Sequence, residues 1–416
     1  MNLVFNEYIN FLKEHGCKYN LKEGFYWHDK SIIKAYDKKG NIHKILRVKV
    51  NNDLTINFKE YKKEEFELES WEETVKRNYK LLLKLESDSL ELIKKYIDIY
   101  CDREIIIPSS GGKDSSVTTY LVKKIINNPK ILFNNTTLDV ADTYLHIKKE
   151  NNLKIINPKE GFYQWRERLN FIPTRFSRAC CSIFKEGSMI SSLNIDSKYL
   201  FFMGMRNDES NKRSMYGDVW KNTKWGNREW DAVLPIRKWT EENIWLYILM
   251  RNIDINPKYK KGYTRVGCGI ACPFYTKTTW VLDKYWYPEM YKRWHNILKK
   301  DFIDNKKASI MNCTLDEYYL CWNGGVFRDE PTEEVIKEFS EQQNLDYKIA
   351  EKYFNKRCYD CNKKLKKDDI GLSMKLYGRN IEKFKCMTCL EKDTGRTKEQ
   401  LKEFINFHKN KGCDLF

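Results

Sequence analysis

Residues 107–116 read IPSSGGKDSS and follow the apolar run REIII. Serines, paired glycines, a lysine and an aspartate at the end of a buried strand suit phosphate chemistry. Glycine reaches backbone angles closed to other residues and lets a ligand approach the main chain. Successive N–H groups in such a turn, with the N-terminus of a following helix, form an anion site. SVTTYLVKKIIN (116–127) carries the apolar spacing of that helix. A Walker A loop needs a glycine five positions before its Gly-Lys pair and Ser or Thr after the lysine. Ile107 and Asp114 hold those places, so this is a phosphate turn of another kind.

Cysteines form the second chemical signal. There are thirteen, many of them grouped: Cys180 with Cys181, Cys268 with Cys272, Cys358 with Cys361, and Cys386 with Cys389. The start, MNLVFNEYINFLKEHG, reads as a short amphipathic helix without the basic and apolar regions of a signal peptide. A cytoplasmic location is expected, and with it metal ligation in place of disulfides. CYDC and CMTC enclose 24 residues. Four thiolates at that spacing close a tetrahedral Zn²⁺ site and would fold a segment too small for its own core; a second iron–sulfur cluster is the other reading. Cys17, Cys101, Cys313 and Cys321 stand apart and read as small buried hydrophobes.

Regular elements must position these groups. Residues 25–62 alternate as strands, with turn signals at DKKGN and NND, and predict a small antiparallel sheet. SWEETVKRNYKLLLKLESDSLELIKKYIDIY (70–100) opens with a capping box and continues as one or two helices. From residue 103 the order becomes strand–helix: REIIIP, then KILFNNTTL (130–138), KIINP, and KYLFFMGM (198–205), with AVLPIRKW leading into the helix TEENIWLYILMRN. That order predicts an α/β fold, a mostly parallel doubly wound sheet with ligands beyond the strands' carboxyl ends. The expected domains are 1–100 (N-terminal helix, small sheet and helical linker), 101–278 (nucleotide-binding), 279–355 (helical extension) and 356–416 (a zinc-ribbon-like tail with four cysteine ligands). Aromatics in DKYWYPEMYKRWHNIL (283–298) recur at helical spacing and read as helix packing.

Hydrophobic residues at 41% allow packed cores, and no apolar run is long enough to span a membrane. The net charge of +17 suits a polyanionic partner such as nucleic acid. Lysine, asparagine and isoleucine are abundant throughout, so a biased composition accounts for the charge equally well.

SGGKDS resembles the pyrophosphate loop of the ATP-pyrophosphatase (PP-loop) superfamily, whose fold is adenine nucleotide α-hydrolase-like. NNTTLDVADTYLHI (134–147), GMRNDESNKR (204–213), LPIRKWTEENIWLYI (234–248) and YKKGYTRVGCGIACP (259–273) resemble, in the same order, segments of phosphoadenylyl-sulfate (PAPS) reductases. The resemblance covers about residues 100–275. It implies a nucleotide site made by Ser109, Ser110, Gly111, Gly112, Lys113, Asp114 and Ser115, by Thr137, Leu138 and Asp139 against the adenosine, and by Gly204, Arg206 and Glu209. Arg206 would face the anionic end, and Glu209 would either orient Arg206 or bind Mg²⁺. Reductases of this family that carry a [4Fe–4S] cluster use adjacent cysteines and a later Cys-x-x-Cys. Here 87 positions separate Cys181 from Cys268. The resemblance thus implies a cluster on Cys180, Cys181, Cys268 and Cys272, with zinc or metal-free redox thiols as the alternatives. CGIAC departs from the pattern by one extra residue between its cysteines. Cys413 stands near the end, where the family places its nucleophile, but shares with that stretch only a leucine two positions on.

Three functions follow as expectations. The first is an ATP-dependent sulfurtransferase in which Lys113, Asp114, Arg206 and Mg²⁺ serve adenylation of an acceptor such as nucleic acid, with sulfur from a donor protein or thiol reductant. The second is an oxidoreductase that cleaves adenylyl sulfate or PAPS to sulfite. The third is a nucleic-acid-binding protein without catalysis.

Overall fold

The computed structural model describes residues 1–61, 65–175, 179–221, 225–305, 313–322, 357–377 and 383–410, with isolated positions between 333 and 347. The chain divides into two compact units: residues 1–157, 192–270 and 276–291 form the first, and 158–191, 271–275 and 292–416 the second.

The first unit opens with an antiparallel meander paired in chain order: β1 (Asn2–Leu3), β2 (Tyr26–Asp29), β3 (Ile32–Tyr36), β4 (Ile42–Val50) and β5 (Ile56–Glu60). Short acidic side chains close its turns by accepting nearby backbone donors. Asp37 accepts the N–H groups of Lys39 at 2.8 Å and Asn41 at 2.9 Å, and Asp53 accepts that of Thr55 at 3.0 Å. Ser70 and Glu73 then form the expected capping box on the helix Trp71–Ile99. This helix is unbroken over 29 residues. Ser89, in its middle, donates its hydroxyl to the Pro235 carbonyl at 2.8 Å and so becomes a tertiary tie, not a helix break.

A second sheet has the order β10-β11-β9-β6-β7-β8. Its parallel strands are β6 (Glu104–Pro108), β7 (Lys130–Asn134), β8 (Leu153–Ile156), β9 (Tyr199–Phe202) and β11 (Trp230–Val233); β10 (Val219–Trp220) adds an antiparallel edge. All four residues of β9 are buried, as for a strand covered on both faces. β7 ends at Asn134, short of the expected 138. Thr137 sits at φ +58° and gives its N–H to the Asn135 side chain at 2.8 Å, while Thr136 donates its hydroxyl to Asp139 at 2.6 Å. These local bonds draw the backbone out of the ladder.

Strand order reverses around β6, which lies between β7 and β9. Sheets of this kind bind ligands beyond the carboxyl ends of the strands at such a switch point. The sequence boundary near residue 100 does not separate two cores. Trp27, Tyr36 and Trp71 pack in one hydrophobic cluster with Ile107, Val117, Leu121 and Trp245. Glu86 of the long helix pairs with Lys124 and Arg251, linking it to the helices that follow β6 and β11.

The described parts of the second unit are largely helical, including Phe162–Arg168, Leu315–Cys321, Lys367–Tyr377, Met387–Thr394 and Lys398–Asn410. Trp294 is fully buried, with ring centroids 6.2 Å from Phe162 and 5.1 Å from Trp322, so it packs as its helical spacing predicts. Of the lone cysteines, Cys17 is buried, Cys313 half-buried and Cys101 exposed, the last against expectation. Among the described residues no helix is long and apolar enough to cross a membrane.

Candidate functional site

β6 ends at Pro108, and Ser109–Gly112 turn the chain into the helix Lys113–Lys123. The Ser109 N–H donates to the Leu132 carbonyl at 2.8 Å, and the Ser109 hydroxyl accepts the Gly111 N–H at 3.3 Å. Gly111 needs its glycine: φ is +68°. Gly112 caps the helix without a side chain, so no cap oxygen occupies the first-turn N–H groups. That of Lys113 donates to the Tyr259 hydroxyl at 3.0 Å. Ser115 donates its hydroxyl to the Gly112 carbonyl at 2.8 Å and lies 3.4 Å from the Ser110 hydroxyl.

Lys113 is buried, with Nζ 3.1 Å from Asp114 and 3.2 Å from Glu241. From the turn after β9, the buried Arg206 donates Nε to Asp114 at 2.5 Å and a second nitrogen to Asp208. One carboxylate, Asp114, therefore joins both cations at the mouth of the sheet. Burial alone would lower the pKa of Lys113, but Tyr259, Asp114 and Glu241 outweigh it and hold the pKa above its ordinary value. Arg206 is likewise raised, because Asp114 and Asp208 overcome its burial. Two cations remain charged in a poorly solvated crevice, where their attraction for oxyanions is strong.

The approach of the two turns depends on Gly204. A Cβ there would lie 2.6 Å from the Asp114 carbonyl oxygen, so backbone meets backbone and Arg206 reaches Asp114. Glu209 accepts the Arg206 N–H at 2.9 Å and pairs with Arg213, which makes it a brace for the Arg206 turn. On the other side, Thr137, Leu138 and Asp139 form the turn after β7. Its Leu138 carbonyl faces Gly269, where a Cβ would stand 2.2 Å from the oxygen, at φ +75°. Gly269→Ala is expected to destabilise the first unit by about 1–3 kcal/mol through overlap, with a comparable cost for a side chain at positive φ. Urea unfolding of the variant measures this, and an unchanged midpoint would show that the two turns do not touch.

Glu241, Tyr259 and Asp208 complete the site and were not singled out from the sequence. All three lie within or beside the stretches that resemble the reductases, but nothing local marks Tyr259 as a partner of Lys113, 146 positions away.

The second constellation is Cys358, Cys361, Cys386 and Cys389, whose sulfurs all lie within 4.8 Å of one another. The Cys361 and Cys386 sulfurs are 3.6 Å apart. Thiolates about 2.3 Å from one ion stand roughly 3.8 Å apart in a tetrahedron, so the set fits a single metal ion. The Cys358 N–H donates to the Lys363 carbonyl at 2.8 Å and the Asn362 N–H to the Cys358 carbonyl at 2.9 Å. Burial would raise the Cys358 thiol, yet the N–H groups of Cys361, Cys386 and Asp360 around the sulfur bring it down to about 6. That favours the thiolate a metal requires at Cys358, while burial pushes the Cys386 and Cys389 thiols up. The β-type pairing here is the bridge Arg357–Lys364, so the ribbon is reduced to one rung among the described residues.

Cys180 and Cys181 close a short helix, Ala179–Cys181, that runs directly into a π-helical turn, Ser182–Gly187. Cys180, Cys268 and Cys272 are buried and Cys181 is half-buried. Cys268 belongs to the first unit and the other three to the second. Cys413 lies outside the described residues.

Residues 104–273 match the phosphoadenosine phosphosulfate reductase domain model. An uncharacterized protein of Methanocaldococcus jannaschii is 31% identical over 270 residues, 63% of this chain and 62% of the relative, so this chain spans less than two thirds of that relative's length. The adenosine 5'-phosphosulfate reductase of Halalkalibacterium halodurans is 26% identical over 44% of this chain and 79% of its own. Among solved structures, the phosphoadenylyl-sulfate reductase from Candida auris aligns over 46% of this chain and 93% of its own, with 14% identity and a TM-score of 0.35. The stretch that carries the phosphate turn and the Arg206 turn, residues 104–273, is thus a domain of the phosphoadenosine phosphosulfate reductase type.

Proposed function

We propose that the protein is an ATP-dependent sulfurtransferase. The observation that carries this reading is Asp114 joining Lys113 and Arg206 at the switch point, beside a helix N-terminus whose cap residue, Gly112, has no side chain. ATP docks with its phosphates on Ser109–Ser115 and its adenosine against Thr137–Asp139. An acceptor oxygen attacks the α-phosphorus and the bond to the bridging oxygen breaks. Pyrophosphate leaves, its charge met by Lys113, Arg206 and Mg²⁺. The outer sulfur of a donor protein's persulfide then attacks the activated carbon, AMP departs with the acceptor's oxygen, and a thiol reductant cleaves the remaining S–S bond, leaving sulfur on the acceptor and the donor as a mixed disulfide. The net charge of +17 is compatible with a nucleic acid as acceptor.

We assign Zn²⁺ to the Cys358, Cys361, Cys386 and Cys389 site in a structural role, since sulfurs so close suit one ion better than the spread corners of a cubane. From the resemblance alone we carry forward Cys180, Cys181, Cys268 and Cys272 as ligands of a [4Fe–4S] cluster, which would supply iron able to hold a sulfur ligand. Cys413 is the candidate nucleophile.

A reductase reading is favoured by the adenosine 5'-phosphosulfate reductase among the relatives. Anaerobic, metal-reconstituted protein given ATP or adenylyl sulfate separates the two. Pyrophosphate from ATP is the expected result; sulfite from adenylyl sulfate, without ATP, would replace the sulfurtransferase by a reductase.

A further inference from the structure

The metal module presents a surface that neither the phosphate turn nor the cysteine ligation explains. Residues 356–416 hold 16 lysines and arginines against 9 acidic residues. A scattered excess of that kind signifies little by itself, but here the acids and the bases are sorted. Asp369 is turned inward, accepting the N–H groups of Lys366 at 2.8 Å and Met387 at 2.7 Å. Asp360 and Asp393 both hold Lys385, at 3.0 and 2.5 Å. Among the described residues around the first cysteine knuckle, Asp360 is exposed but paired with Lys385, and the other exposed charges, Arg357, Lys363, Lys364, Lys366 and Lys383, are basic.

Among these cations stands an aromatic ring. Tyr359, between the first two ligands, is 59% exposed, and the Lys383 ammonium lies 4.4 Å from its ring centroid. Its backbone is held: the Tyr359 N–H donates to the Phe384 carbonyl at 2.8 Å, and Asn362 at φ +58° closes the knuckle behind it. Two ligand cysteines, Cys358 and Cys361, flank it in the chain and hold its backbone at the surface. A positively charged surface carrying one fixed aromatic platform matches a polyanion whose flat bases are unpaired. Phosphates meet the lysines and a base stacks on the ring. A duplex keeps its bases stacked on one another and would engage the lysines alone.

We propose that the knuckle face formed by Tyr359, Lys363, Lys364, Lys366 and Lys383 binds single-stranded nucleic acid, with a base stacked on Tyr359. This rests on the reading of the acceptor as a nucleic acid and names the part of the chain that holds it. The metal ion sets the ring's position, so single-strand binding depends on the metal.

The test uses the full chain loaded with Zn²⁺ and a short fluorescent oligouridylate, with a labelled duplex as comparison, read by anisotropy across a salt series. Tyr359→Ala is expected to weaken single-strand binding roughly 5- to 100-fold, the loss of one stacked base, and to leave duplex binding unchanged. Changing Lys363, Lys364 and Lys366 to Gln is expected to reduce the salt slope by about 2, at ~0.7 per phosphate contact. Wild-type affinity and slope in both variants would overturn the knuckle assignment while leaving a nucleic-acid acceptor in place. Absence of strand binding by the wild-type chain at low salt would overturn both. Pyrophosphate release from ATP, measured on the same samples, reports separately on the sulfurtransferase reading.

Discussion

Lys113→Ala loses nucleotide turnover: pyrophosphate release from ATP is expected to fall by about 10²–10³-fold, the range for removing one preorganised group that stabilises developing oxyanion charge. The residue is placed for that effect. It is buried, it heads the phosphate helix, and its ammonium lies between Asp114 and Glu241 at 3.1 and 3.2 Å. Alanine removes the charge and leaves two carboxylates facing the site proposed for the phosphates. Breaking a buried pair from one side also costs stability, about 3–5 kcal/mol, so turnover must be read beside thermal unfolding. Lys113→Arg separates the two effects. It keeps the charge and is expected to retain the fold, while its planar fork does not reproduce an ammonium's point contact and turnover still falls. Full activity in Lys113→Ala would remove this turn from the mechanism.

The second large effect concerns the metal module. Cys386→Ser is expected to abolish metal binding at this site and to unfold the segment around it. Apparent binding free energies for structural zinc in small modules are about 10–16 kcal/mol, and they are folding energy where the apolar core is small. That core is small here. One cluster consists of Leu365, Ile370 and Phe384 with three of the ligand cysteines themselves, and a neighbouring one of Leu372, Leu390, Leu401 and Ile405. Hydrogen exchange should show residues 357–377 and 383–410 losing protection in Cys386→Ser, or in wild type after chelation, while the sheet strands β6, β7 and β9 keep theirs. A module that stays protected without its ion would show that these two clusters suffice, and the four thiols would need another explanation.

What could be read from the sequence alone was local. The strand, glycine turn and helix at 104–123 are encoded within twenty residues, because glycine's backbone freedom and the helix terminus act on their immediate neighbours. The capping box of Ser70 and Glu73 and the knuckles at Cys358 and Cys386 are legible for the same reason: a few positions set the geometry. The alternation of strands and helices was sufficient to predict the parallel sheet, since crossover connections restrict topology strongly.

The tertiary structure decided what depends on groups far apart in the chain. That Asp114 would join Lys113 to Arg206, that Glu241 and Tyr259 would reach the same lysine, and that Glu209 would brace a turn are outcomes of how β6, β9 and the later helices pack. A charged side chain meets whichever opposite charge the fold buries beside it, and no spacing rule covers a separation of 146 residues. The same holds for Ser89, whose hydroxyl ties its helix to the Pro235 carbonyl. It holds too for the shared core that joins the first hundred residues to the parallel sheet. Apolar surface is buried without direction, so patterning shows which faces must be covered and only packing shows by what.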